Sequence, residues 1–192
     1  MNRLIVLALS ALLISACQGP APTPPLADAR IGGPFALTDQ RGRTVRDSDF
    51  AGRYRIVYFG YTFCPDVCPV DARNIGAGLR QFEAADPGRG ARVMPIFITV
   101  DPARDTPAAL AAFVGNFHPR YVALTGSVAQ IAAVAREFLV VYQRQQSPGA
   151  TGYLVNHTRQ AYLMVPDGKP VALLPADESA DAVAAELARW VR

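Results

Sequence analysis

"RIVYFGYTFCPDVCPVD", Arg55 to Asp71, joins two periodicities in one short stretch. Arg55-Ile56-Val57-Tyr58-Phe59-Gly60 runs apolar without alternation once past Arg55, which marks a strand covered on both faces. From Pro65 through Phe82 the apolar positions Val67, Val70, Ile75, Leu79 and Phe82 recur at helical spacing. Gly76 and Gly78 weaken that helix, and Asp86-Pro87-Gly88 stops it. A buried strand feeding a helix sets Cys64 at the carboxyl edge of a sheet, where α/β folds gather their ligand sites.

Outward from this unit the pattern repeats and then changes. Val93 to Val100 is a second buried strand, and its exit leads to Thr106 and Pro107, a capping hydroxyl before a proline, opening a helix to about Phe113. Tyr121 to Leu124 reads as a short strand, Ser127 caps a helix to about Glu137, and Val140-Val141-Tyr142 reads as a further strand before a polar loop through Pro148-Gly149. Ala161 to Val165 and Val171 to Leu174 form a hairpin across Asp167-Gly168, and Asp177 to Val191 is an amphipathic closing helix. Ahead of it all, Phe35-Ala36-Leu37 and Thr44-Val45 flank a polar turn, as in a short hairpin. Parallel-type units followed by antiparallel ones predict a single α/β domain with a mixed central sheet flanked by helices.

Cys64 and Cys68 can close a disulfide, exchange electrons, or grip a metal. With Cys64 at the cap and Pro65 at the first helical position, both sulfurs face the helix's free N–H groups, which favour thiolate. Asp66 opposes this by adding negative charge nearby, a conflict that a soft cation would relieve. Redox pairs of the Cys-x-x-Cys kind have two intervening residues, whereas three separate these. That interval admits a disulfide after adjustment, or a metal ion held at roughly 2.3 Å. A third ligand is then needed. Of the two histidines, His118 in the polar loop Asn116 to Arg120 reads as a plain surface residue. His157 follows a Gly-containing loop and precedes the strand from Ala161, so a loop at the sheet edge is positioned to carry it toward the cysteines.

The amino terminus bears on the compartment. Arg3, the apolar run Leu4 to Ile14 and the small-residue exit Ser15-Ala16 have the order of a secretory signal, too short to span a bilayer. Ile14-Ser15-Ala16-Cys17 resembles the lipobox of bacterial lipoproteins, which implies cleavage before a lipidated Cys17. Residues 1–16 are then signal peptide, 17–30 a lipidated cysteine with a Pro-rich tether, and 31–192 one domain. The domain would face the periplasmic, extracytoplasmic side of a bacterial membrane, where a thiol pair can oxidise. A formal charge of +3, scattered along the chain, argues against a nucleic-acid partner.

"GYTFCPDVCPVD", "ITVDPARDTP" and "NHTRQAYLMVPDG", in that order, resemble the signature blocks of the Sco/SenC family of copper-delivery proteins. The resemblance runs from about Gly33 onward. It implies a thioredoxin-like fold with an added N-terminal β-hairpin, membrane anchorage outside the cytoplasm, and copper, as Cu(I) or Cu(II), held by Cys64, Cys68 and His157. It implies a metallochaperone assisting assembly of the binuclear copper site of cytochrome c oxidase, with the copper-receiving subunit and other periplasmic copper chaperones as partners. The alternative is a thiol-disulfide reductase, with Cys64 and Cys68 as its redox pair, that keeps the receiving subunit's cysteines reduced. Asn156 departs from the family's usual aspartate before the histidine. Asp101, Arg104, Asp105 and Pro107 also match and read as loop architecture: an ion pair and helix caps. Thiolates with imidazole suit both copper oxidation states, and zinc is the rival ion. A peroxide-reducing role lacks the expected residues in Tyr61-Thr62-Phe63, and a purely structural bridge across so small a loop would stabilise little.

Overall fold

Residues 23–146 and 152–192 are described by the structure, a computed structural model; the expected signal peptide, Cys17, and the Pro148-Gly149 loop lie outside them. The chain opens with the predicted hairpin, β1 (Ala36–Asp39) and β2 (Thr44–Arg46), paired antiparallel. Asp39 tightens its turn by accepting the Arg41 and Arg43 N–H groups at 2.9 Å each. β3 (Tyr54–Gly60) follows, then α1 (Val67–Ala85), the one-turn α2 (Pro87–Gly90) and β4 (Val93–Thr99). Next come α3 (Pro107–Val114), β5 (Val122–Thr125) and α4 (Val128–Glu137). The last third holds β6 (Tyr142–Gln145), β7 (Leu154–His157), β8 (Ala161–Met164), β9 (Pro170–Leu174) and α5 (Ala180–Trp190).

Seven strands form one mixed sheet in the order β2-β1-β5-β4-β3-β8-β9. β3, β4 and β5 are mutually parallel at its centre, and the remaining neighbours run antiparallel. All seven residues of β3 are buried, as its unbroken apolar run requires. The sheet divides two cores. Tyr58 and Phe97 face Ile75 and Leu79 of α1 and Leu187 of α5, while Phe59, Ile96 and Ile98 face Val134 of α4 and Phe138. Among the described residues no helix is long and apolar enough to cross a membrane.

Three expectations are corrected. The strand expected at Val140 to Tyr142 lies further on, at Tyr142–Gln145, a polar and largely exposed strand paired antiparallel with β7, so no apolar run marks it in the sequence. Val141 is mostly exposed instead. The closing helix starts at Ala180, where the Ser179 hydroxyl accepts the Ala182 N–H at 3.1 Å, leaving Asp177 outside it. The helix after the cysteine loop begins at Val67 and not at Pro65, with consequences for both sulfurs.

Candidate metal centre

Cys64 sits in the turn that leaves β3, and Cys68 is the second residue of α1. Pro69 falls in the first helical turn, where its missing N–H costs nothing. Since Asp66 occupies the cap and its side chain makes no capping bond, the Cys64 sulfur takes that role, accepting the Cys68 N–H at 3.4 Å. Pro65 and Asp66 are used in wrapping the chain round that sulfur. Asp66 thus adds an N–H toward Cys64, while its carboxylate side is exposed.

The two sulfurs are unequal. The Cys68 thiol donates its proton to Cys64, and with the N–H groups of Cys68, Asp66 and Val67 this outweighs burial and pulls the Cys64 pKa down to about 5. Cys68, itself buried, is pushed up by that same bond to Cys64 and by its loss of water. Both are free cysteines. Of the pair, Cys64 is the sulfur that favours the thiolate and Cys68 the one that keeps its proton.

His157 is the last residue of β7, so a strand and not a loop carries it. β7 pairs with β6, setting His157 opposite Tyr142 and Asn156 opposite Gln143. The Nε2 atom lies 3.2 Å from Cys68 Sγ, and Nδ1 lies 2.9 Å from the Thr158 carbonyl oxygen. With Nδ1–H donating to that carbonyl, Nε2 presents its lone pair to the sulfur. Tyr58 and Tyr61 wall the ring edge-on, at centroid distances of 6.3 and 6.0 Å. The Tyr61 hydroxyl also accepts the Val155 N–H at 3.2 Å, pinning β7 to the cysteine turn.

Two groups support the site: Asp71, which the sequence reading did not single out, and Arg104, whose expected ion pair is present with further contacts. Asp71 is wholly buried beside the site, bonded to Tyr58 and Arg159. Arg104 pairs with buried Asp101, donates to the Tyr153 carbonyl at 2.9 Å, and lies 3.7 Å from the Tyr153 ring centroid and 4.9 Å from that of Phe63. Tyr153 closes the circuit by donating to Asp101 at 2.7 Å. Asp105 caps nothing: it accepts from Thr62 and Thr99, while Thr106 caps α3. Short-range patterns carry no signal for such pairings.

His118 is the clear correction. Expected at the surface, it is buried, its Nδ1 accepting the Arg120 N–H at 3.2 Å and its Nε2 facing Glu83 at 3.3 Å, because the loop folds back onto α1. It has no part in the sulfur site. Among the described residues no three His, Cys, Asp or Glu side chains stand close enough together to hold a metal ion, though Cys68 lies beside both Cys64 and His157. Two sulfurs and an imidazole nitrogen make a soft donor set suited to copper or zinc, and the sulfurs alone suit dithiol exchange.

A family model described as SCO1/SenC matches residues 23–192. The mitochondrial SCO2 homolog of Bos taurus is 46% identical over 147 residues, covering 76% of this chain and 54% of that protein. The chain spans about half the length of that curated relative. Among solved structures, copper-bound ScoI of Bradyrhizobium japonicum matches with a TM-score of 0.74 and 38% identity, covering 83% of this chain and 99% of the other. The thioredoxin domain of a thiol-disulfide oxidoreductase from Bacteroides vulgatus matches at 17% identity and a TM-score of 0.55, over 84% of this chain and 96% of that one. That last likeness concerns the fold alone, which is thioredoxin-like.

Proposed function

The chain belongs to the SCO1/SenC family, and on that premise we propose that it is a copper carrier that binds the ion through Cys64, Cys68 and His157. Its task is to help assemble the binuclear copper site of cytochrome c oxidase, with the copper-receiving subunit as partner. The observation that carries this reading is the 3.2 Å approach of His157 Nε2 to Cys68 Sγ, with the nitrogen lone pair turned toward the sulfur. With Cys64 and His157 partly exposed and Cys68 buried between them, three donors leave an unfilled position through which a recipient's ligand can enter before the others leave. In this reading Cys17 carries lipid, the residues after it tether the domain as far as Leu26, whose N–H is bonded to the Val171 carbonyl at 3.2 Å, and the site works on the extracytoplasmic face of a membrane.

The test is direct. Reduced protein loaded separately with Cu(I), Cu(II) and zinc should prefer copper, and the Cu(II) form should show sulfur-to-copper absorption. His157→Ala should weaken Cu(II) binding by at least about tenfold, as expected for loss of a ligand. Binding as tight as the parent's would remove His157 from the ligand set.

A thiol-disulfide reductase is the second reading, favoured by the proton asymmetry of the pair. The Cys64 thiolate attacks one sulfur of the partner's disulfide, a mixed disulfide forms, and the partner's released thiolate takes up a proton. Cys68 then loses its proton and attacks Cys64, so the second partner thiol departs reduced and the Cys64–Cys68 pair is left oxidised. Replacing Cys68 should trap the mixed disulfide. No exchange by metal-free protein would exclude this role.

A further inference from the structure

Asp71 lies on α1 three residues after Cys68, and its buried carboxylate takes three hydrogen bonds. Tyr58 Oη donates at 2.8 Å, Arg159 Nε at 2.7 Å and Arg159 Nη2 at 2.6 Å. Arg159 stands two residues after His157, between β7 and β8. One carboxylate therefore joins the helix that carries Cys68, the strand that walls the site, and the segment just past the histidine. Tyr58, held from below, sets its ring edge against the imidazole.

The Asp71 carboxylate is buried but the Arg159 side chain is 37% exposed, so the pair is half-buried and is weak evidence for stability. Its distinctive property is geometric. The two parallel N–H···O bonds fix the distance and the plane in which guanidinium and carboxylate meet. Asp71 is also surrounded by its own partners and is poorly placed to act as a donor to an ion. Geometry and occupancy both point to positioning. We propose that Arg159 and Asp71 form a latch that holds the His157 ring over Cys68, presenting the third donor in place before any ion arrives. For its purpose the latch rests on the copper reading above, but its existence does not.

The latch can be read without metal. Cys68 is wholly buried, so in reduced, metal-free Cys64→Ser protein its alkylation by iodoacetamide should be slow. Adding Arg159→Ala should speed it about tenfold or more, and Arg159→Lys, which keeps the charge but loses the fork, should restore part of the protection. With Cys64 intact, Arg159→Ala should shift the sulfur-to-copper absorption and weaken Cu(II) binding by about 10-fold to 100-fold, the scale on which outer partners of metal ligands act. Arg159→Lys should recover part of both. If Arg159→Ala fails to fold, the near-isosteric Asp71→Asn is put through the same two measurements. Alkylation and copper spectra unchanged from the parent would overturn the latch. A His157→Ala protein with the parent's copper spectrum would instead overturn the ligand assignment, and the alkylation rates would still decide the latch.

Discussion

At the scale of single residues, the function turns on one proton. Two cysteines four positions apart look equivalent, yet the Cys64 sulfur receives the thiol proton of Cys68 and the N–H groups of the first helical turn, while Cys68 is sealed under an imidazole. Cys64 in the folded chain has a pKa of about 5, below the ordinary thiol value of about 8.5. A lowered acid pKa means that the fold favours the thiolate, so this contribution to stability is present at high pH and disappears as pH falls through about 5. Alkylation of Cys64 in reduced, metal-free protein should accordingly stay rapid at neutral pH and lose half its rate near pH 5. A midpoint close to 8.5 would show that neither the Cys68 thiol nor the first-turn N–H groups hold the Cys64 thiolate. The presence of the pair was legible in the sequence. Its asymmetry was not, because that depends on the helix starting two residues later than Pro65 suggests. His118 shows the same limit from the other side: a polar loop reads as surface until it folds against Glu83.

Among the elements, α1 and the β6–β7 ribbon teach opposite lessons. Gly76 and Gly78 read as weak points in a helix, but both are places of close approach. A Cβ on Gly78 would come 2.6 Å from the Ala180 carbonyl oxygen and 2.7 Å from Val183 of α5. Gly78→Ala should therefore lower the unfolding free energy by about 1–3 kcal/mol, the range for overpacking, even though alanine gains up to about 1 kcal/mol in intrinsic helix preference. Urea denaturation measures it, and a stabilised variant would mean that α5 does not pack against α1 in this way. The ribbon is harder to foresee. Two residues past the end of α4, Leu139 sits in the left-handed region, φ 54°, with the Val140 N–H returning to the Ala135 carbonyl at 2.8 Å. That reversal sends a polar strand alongside β7, and so fixes which strand carries the histidine.

For the molecule as a whole, three separated segments meet at one edge of the sheet, and Arg104 bridges all of them. Its guanidinium pairs with Asp101, donates to Tyr153 ahead of β7, and stacks between the rings of Tyr153 and Phe63. Arg104→Ala should cost about 2–4 kcal/mol, more than an exposed ion pair, because it leaves the buried Asp101 carboxylate without its main counter-charge. Thermal unfolding with a calorimetric enthalpy gives the number, and a loss under about 0.5 kcal/mol would reduce the contact to an ordinary surface pair. The buried strands β3 and β4, the Thr106 and Ser127 caps and the two hairpins were determined by the sequence itself, since periodicity, turns and capping act between residues close in the chain. The meeting of Cys68 with a histidine 89 positions away, the Asp71 latch and the Arg104 bridge were decided only by the tertiary structure. Such contacts depend on which strands lie side by side and on which buried polar groups find partners, and those outcomes exist only once the sheet has closed.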